Sequence, residues 1–422
     1  MTEAEIQVRI ELLFRREAGR LISVLTRLFG PQNLELAEDV LQESFVAAVG
    51  AWSTAGIPDN PSAWLLTTAR NRAVDAIRRE RTRRSFATDL GIYLDSEWTL
   101  SSTVNEAFGE DLIRDDQLRM IFMCCNGGEL STENRITLIL KTLCGLSVPA
   151  IARALLTTES TINKRLYRTR QRLEGATFSL PAEEELPAAL DTAHAVLYLL
   201  FNEGHMSTSE KPILREMCRD AMSFAKLLVD EPGLSNSDTV ALLALMCLVA
   251  ARLESRVDDE GRLIPLDRQD RALWDRSLID QGMVYLGRSS HMDAVAAGRF
   301  HLEAAIAARH CSAASFEQTD WPSICNLYDR LLETAPSPVS ELNRAVAISY
   351  RDGAPAAIPL VEAIHRAGNL PHTHTVAAVL ANLYTRAGLG EPARVFLVEA
   401  LARAQTEHER DLIRLQVERA AG

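Results

Sequence analysis

Fifteen residues, ESTINKRLYRTRQRL at 159–173, hold Lys164, Arg165, Arg168, Arg170 and Arg172 in a 422-residue chain whose formal net charge is −12. A second cluster, ARNRAVDAIRRERTRR at 69–84, carries seven arginines, and the segment 87–116 between the two has eight acids and one arginine. Guanidinium and ammonium groups at this density pair with phosphate oxygens, and hydroxyl and amide side chains set among them can read base edges. Bond-making chemistry has no comparable signal. There is no C-x-x-C or H-E-x-x-H, and the seven cysteines are scattered apart from adjacent Cys124 and Cys125. His194, Glu203 and His205 lack metal-ligand spacing and a neighbouring nucleophile. The chain therefore reads as a non-enzyme, with no metal and no cofactor.

Helical periods position these groups. SVPAIARALLTTESTINKRLYRTRQRL reads as two short helices around a tight turn, with Val148, Ile151, Ala152 and Leu155 on the apolar stripe of the first and Ile162, Leu166 and Leu173 on that of the second. Thr157 or Thr158 caps the second helix. Opposite its stripe stand Ser160, Lys164, Arg168 and Gln171, flanked by Asn163, Arg165 and Tyr167, which is the composition of a recognition helix in a DNA major groove. In the other cluster, Asn60 and Pro61 start a helix whose apolar stripe is Leu65, Ala69 and Ala76, while Trp64, Thr68, Asn71, Asp75 and Arg78 project from another face. Upstream, Leu21, Val24, Leu25 and Leu28 form one helical stripe. Leu41, Phe45, Ala48, Val49 and Trp52 form a second, and Asp39, Gln42, Glu43 and Val46 share a different face of that helix.

Composition sets the frame. With 47% hydrophobic residues the chain can bury ordinary cores, and after residue 175 it holds 23 Lys+Arg against 34 Asp+Glu, so nearly all the acidity lies in the C-terminal half. The N-terminus interrupts its apolar positions with charge and is no signal peptide. The longest apolar run, VALLALMCLVAA at 240–251, is too short to span a bilayer and reads as a buried helix. A cytoplasmic protein without membrane contact is expected. Residues 86–113 lose helical periodicity and read as an acidic linker. SLPAEEELP at 179–187 marks a further boundary, beyond which helical sequence continues to the end. Near the C-terminus, SPVSELNRAVAISYRDGAPAAIPLVEAI and HTHTVAAVLANLYTRAGLGEPARVFLVEAL echo each other, with Pro336/Pro371 and Gly353/Gly388 both thirty-five apart, a layout similar to tetratricopeptide repeats.

The motifs AEDVLQESFVAA (37–48), AWLLTTARNRAVDAIRRE (63–80) and YLLFNEGH (198–205), taken with the helix-turn-helix, resemble the extracytoplasmic-function (ECF) sigma factors of bacteria. The similarity is to the group with a long C-terminal extension ending in tetratricopeptide-like helices. It implies an all-α fold of two small helical DNA- and polymerase-binding domains, the second a helix-turn-helix, followed by an α-helical extension with TPR-like hairpins. The implied divisions are region 2 at 1–85, the acidic linker at 86–113, region 4 at 114–176 and a regulatory extension at 177–422, TPR-like from about 322. The implied partners are core RNA polymerase, promoter DNA and a regulatory protein bound by the extension. Asp39, Gln42, Glu43 and Val46 become the polymerase-docking face. Trp64, Arg70, Asn71, Arg72, Asp75, Arg78, Arg79 and Arg81 become the minus-ten contacts, with Trp64 inserting and Asn71 reading an extruded base. Ser160, Thr161, Asn163, Lys164, Arg165, Tyr167, Arg168 and Gln171 become the minus-thirty-five contacts. One departure stands out: Cys124 and Cys125 are followed by Asn126-Gly127-Gly128 where the resembling group has His-Pro, which speaks against a metal there. A competing reading is a helix-turn-helix transcriptional regulator with a helical-repeat sensor domain, which leaves the first two motifs without work.

Overall fold

The architecture follows from helical stripes that each need a partner. It is given by a computed structural model that describes residues 3–29, 33–83, 110–125, 130–173, 181–207, 209, 211–292, 297–370 and 374–421. Of the expected linker at 86–113, residues 86–109 lie outside the described residues, and 110–113 are instead the first turn of a helix, Glu110–Cys125. The chain divides into two compact units, one of residues 1–151 and 158–196, the other of residues 152–157 and 197–422.

In the first unit, α1 (Glu3–Phe29), α2 (Leu34–Ala55) and α3 (Pro61–Arg83) pack on one another. Leu21, Val24, Leu25, Leu41, Phe45, Ala48, Trp52, Leu65 and Ala69 are buried, as their spacing predicts. Leu28 is instead exposed and Ala76 half-buried, the inner face of α3 being completed by Leu66 and Ala73. Asn60 caps α3, its Oδ1 accepting from the Ala63 N–H at 3.0 Å. Next come α4 (Glu110–Cys125), α5 (Thr132–Thr142, capped by Ser131), α6 (Val148–Ala154, whose residues from Ala152 on belong to the second unit) and α7 (Glu159–Leu173). Helix α4 packs on α1. The C-terminal end of α5 also comes close to α1 at Gly19, where an added Cβ would stand 1.8 Å from the Leu143 carbonyl oxygen. A glycine inside a helix weakens it, and backbone proximity is the reason for this one. Gln117 Nε2 also donates to the Leu143 carbonyl at 2.6 Å.

In the second unit, α8 (Leu186–His205) is shared at its C-terminal half, and α9 (Arg215–Asp230), α10 (Ser237–Ala250), α11 (Arg276–Met292) and α12 (Arg299–Ser312) follow. Helix α10 is the VALLALMCLVAA run. It is buried on nearly every side, against α9, α11 and α12, which is why it has no polar face. Helical sequence does not continue unbroken, however. Residues 251–275 form three 3-10 turns and one antiparallel bridge, Val257 to Leu263, around Gly261 (φ 79°) and Pro265. The chain then returns to α13 (Trp321–Thr334), α14 (Pro338–Arg351), α15 (Ala354–Ala367), α16 (Thr375–Arg386), α17 (Gly390–Arg403) and α18 (Glu407–Ala421), each packed on its predecessor.

Candidate nucleic-acid interface

Helix α7 is anchored by Ile162 and Leu166, both buried, and begins where Thr158 Oγ1 accepts from the Thr161 N–H at 3.2 Å. Of the two threonines proposed as caps, Thr158 serves. The turn before it is closed by the Thr157 N–H donating to the Ala152 carbonyl at 2.8 Å and by Leu156 in the left-handed region, φ 51°. Ser160, Asn163, Lys164, Tyr167, Arg168 and Gln171 are all exposed. Tyr167 is 63% exposed, and Gln171 Nε2 donates to its hydroxyl at 2.9 Å one turn along. Thr161 is half-buried. Arg165, also half-buried, pairs with Glu133 of α5 at 2.5 Å. Arg170, which periodicity leaves unassigned, pairs with Glu38 of α2 at 2.9 Å. The Glu38 carboxylate is buried and also accepts from Thr142 Oγ1 at 2.6 Å. Nothing in local spacing signals this residue, because its partners lie 104 and 132 positions away.

On α3, Asn71, Asp75 and Arg78 are exposed, and Arg70 and Arg72 are half-buried. Burial pushes the Arg70 guanidinium below its ordinary value. The side chains of Arg79 and Arg81 lie outside the described residues. Trp64 is half-buried, its ring edge-on to buried Trp52 at 5.4 Å between centroids. Asp39, Gln42, Glu43 and Val46 share an exposed face of α2, Val46 being 74% exposed. Arg72 Nη1 donates to Glu43 Oε2 at 2.7 Å, so the two exposed sets meet at one ion pair.

Elsewhere, His194 is buried and held down to about 4 by that burial. Arg256 donates to His205 Nε2, and Ser207 donates to Glu203 at 3.2 Å. Cys124 and Cys125 are free thiols, buried, with burial pushing both up. Among the described residues no group of three His, Cys, Asp or Glu side chains is arranged to hold a metal ion, and no helix is long and apolar enough to cross a membrane.

Comparison with known proteins bears on this arrangement directly. Residues 13–83 match sigma-70 region 2, and residues 128–173 match sigma-70 region 4. The chain belongs to the ECF-like sigma factors. Region 2 thus covers α1 to α3, and the region 4 match covers α5 to α7. Residues 189–290, in the additional helical C-terminal region, match a family of unknown function, DUF6596. An uncharacterized protein of Rhizobium meliloti (strain 1021) is 32% identical over 98% of this chain and 96% of its own length, so the similarity runs through the extension as well. No solved structure matches. Sigma-factor regions 2 and 4 are domains for binding core RNA polymerase and recognising promoters, and the basic helices α3 and α7 fall within them.

Proposed function

We propose that this sigma factor docks on core RNA polymerase through Asp39, Gln42, Glu43 and Val46. It opens the minus-ten element with Trp64, Asn71 and the α3 arginines, and reads the minus-thirty-five element with the exposed face of α7. The observation that carries the reading is that face. Ser160, Asn163, Lys164, Tyr167, Arg168 and Gln171 stand in solvent while Ile162 and Leu166 are buried, so hydroxyl, amide and cationic groups are presented together. Run-off transcription with core polymerase tests it: initiation at a defined start must depend on this protein. Lys164→Ala or Arg168→Ala should weaken binding to the upstream element by roughly 1–3 kcal/mol if the residue contacts a base. Asn71→Ala should spare duplex binding and impair opening. Duplex binding without any initiation would replace this reading with that of a conventional helix-turn-helix regulator.

The functional divisions proposed are 1–85, 86–113, 114–176 and 177–422, the last a regulatory extension that is TPR-like from about 322 and takes a protein partner. Support for the repeat comes from the helix pairs α14/α15 and α16/α17, whose turns hold Gly353 (φ 92°) and Gly388 (φ 75°) thirty-five positions apart. The pairs share a core of Leu342, Val361, Ile364, Leu380 and Leu383. Support for regulation comes from within the second unit, where Arg153 donates to Glu409 Oε1 and Gln405 Oε1, each at 2.6 Å. On this reading Arg153→Gln in the full chain raises promoter-dependent transcription. A fall would assign the extension a required docking role instead.

A further inference from the structure

The second unit contains a cavity of about 530 Å³ between α13, α14, α16 and the 265–267 turn. One wall is aromatic. Trp321 and Tyr350 stack with centroids 4.5 Å apart, Phe316 meets both edge-on at 5.4 and 5.0 Å, and the Arg386 guanidinium lies 4.4 Å from the Tyr350 centroid. Arg386 donates from Nη1 to Ser349 Oγ and from Nη2 to the Ser349 carbonyl, both at 3.0 Å, which engages two of the five N–H groups a guanidinium carries. Asn343 and Asn382 add amide groups to the lining, and Asp267 is the one carboxylate there.

Charge near this cavity is unusual. Arg252 and Arg271 both lie over Trp274, at 5.8 and 4.5 Å, and Arg271 Nη1 donates to the carbonyls of His310 and Ala313 at 2.6 and 2.7 Å. His310 itself lines the cavity, edge-on to Trp321 at 5.4 Å. Arg252 Nε, Arg271 Nη2 and His310 Nδ1 are buried without a hydrogen-bond partner among the described residues. Burial, together with Arg252 and Arg271, holds His310 down to about 3, so the ring is neutral at physiological pH and adds no further positive charge. Negative charge nearby includes Glu317, which interacts with Arg271, and Glu303, which interacts with Tyr328. Arg252 and Arg271 do not line the cavity themselves, but their positive field reaches its His310 edge and favours an anion within it.

We propose that this cavity binds a small organic anion: a carboxylate, sulfonate or phosphate group drawn by Arg386 and by the field of Arg252 and Arg271, on an apolar body that packs against Phe316, Trp321 and Tyr350. The volume suits a single small molecule, since ligand pockets run from about 300 to 1,000 Å³ and combine apolar walls with a few placed polar groups. No residue lining the cavity belongs to the proposed promoter-binding set, and the proposal does not depend on how that set acts. It gives the extension a chemical input of its own.

The test uses the full chain and two probes with the same aromatic body. One is 1-anilinonaphthalene-8-sulfonate, the other uncharged N-phenyl-1-naphthylamine, each titrated by calorimetry. Saturable one-to-one binding of the sulfonate is expected, about tenfold tighter than the uncharged probe and weakened by added salt. Arg386→Gln should lower sulfonate affinity about tenfold and leave the uncharged probe unchanged, whereas Arg386→Lys keeps the charge and most of the affinity. Tyr350→Ala should weaken both probes. Salt dependence in the unmodified chain keeps the test decisive if Arg386→Gln does not fold. Equal affinity for the two probes, insensitivity to salt, or no saturable binding of either would overturn the proposal.

Discussion

Glu38 offers the sharpest test of how the first unit is held together. Its carboxylate, 8% exposed, accepts from the Thr142 hydroxyl, 3% exposed, and from Arg170, whose side chain is 39% exposed. Glu38→Ala strands the Thr142 hydroxyl in a buried setting, at a cost of about 1–3 kcal/mol. Arg170 loses a charged partner too, but water reaches it, so that loss contributes only about 0.5–1 kcal/mol. The expected total is about 1.5–4 kcal/mol. Glu38→Gln keeps an acceptor for Thr142 and should cost about 1 kcal/mol. Because the full chain has more than one cooperative unit, hydrogen exchange in peptides from 34–55 and 132–173 is the suitable readout. Combining Glu38→Ala with Thr142→Val should recover about 1–2 kcal/mol relative to additivity. Identical small losses in the Ala and Gln variants, with additive behaviour in the double variant, would refute the reasoning.

Gly19→Ala should destabilise the first unit by about 3 kcal/mol or more, since the added Cβ meets the Leu143 carbonyl and neither helix backbone can yield cheaply; exchange in α1 peptides checks it. Leu156→Gly should stabilise the turn before α7 by about 0.5–1 kcal/mol in thermal melts, because Leu156 is 44% exposed and holds a left-handed backbone that glycine adopts freely. His194, His205 and His310 all have folded values depressed by burial, to about 4, well below 6.5 and about 3 respectively, so the unfolded chain binds protons that the folded chain refuses. Their contribution is full above about pH 6.5. It is lost as pH falls toward the folded values, at roughly 1.4 kcal/mol per pH unit for each residue, and urea midpoints between pH 7.5 and 5.5 should fall accordingly.

Much of this was legible in the sequence wherever a residue's fate depends on its own helix. Asn60 and Thr158 cap the helices they precede, and α10 is buried because its run has no polar side to expose. The exposed face Asp39, Gln42, Glu43 and Val46 follows from a hundred-degree step alone. What stayed hidden depends on distant partners. Glu38 is one step from exposed Asp39, and only contacts with α5 and α7 make it buried. Arg252 and Arg271 look like surface residues until the 251–275 segment folds over Trp274, and that segment broke the expected helical run through its Gly, Pro and Asp turns. Ala73 rather than Ala76 completes the α3 face, a register detail that alanine spacing cannot decide.

An acidic chain keeps a basic helix because its cations have divided tasks. Arg165 and Arg170 are committed to Glu133 and Glu38, tying α7 to α5 and α2, whereas Lys164, Arg168 and Arg172 are exposed and pair with no carboxylate among the described residues. Removing a committed arginine therefore acts first on the packing of the first unit, and removing an exposed one acts first on whatever anion the surface meets. Arg72 stands between the two cases. Its pair with Glu43 is solvent-exposed on both sides and so is worth less than about 1 kcal/mol, small enough for either a phosphate or a polymerase side chain to displace. If polymerase takes Glu43 as proposed, it releases Arg72 toward DNA. Docking and promoter contact are then coupled through one weak ion pair, without any rearrangement of the helices that carry it.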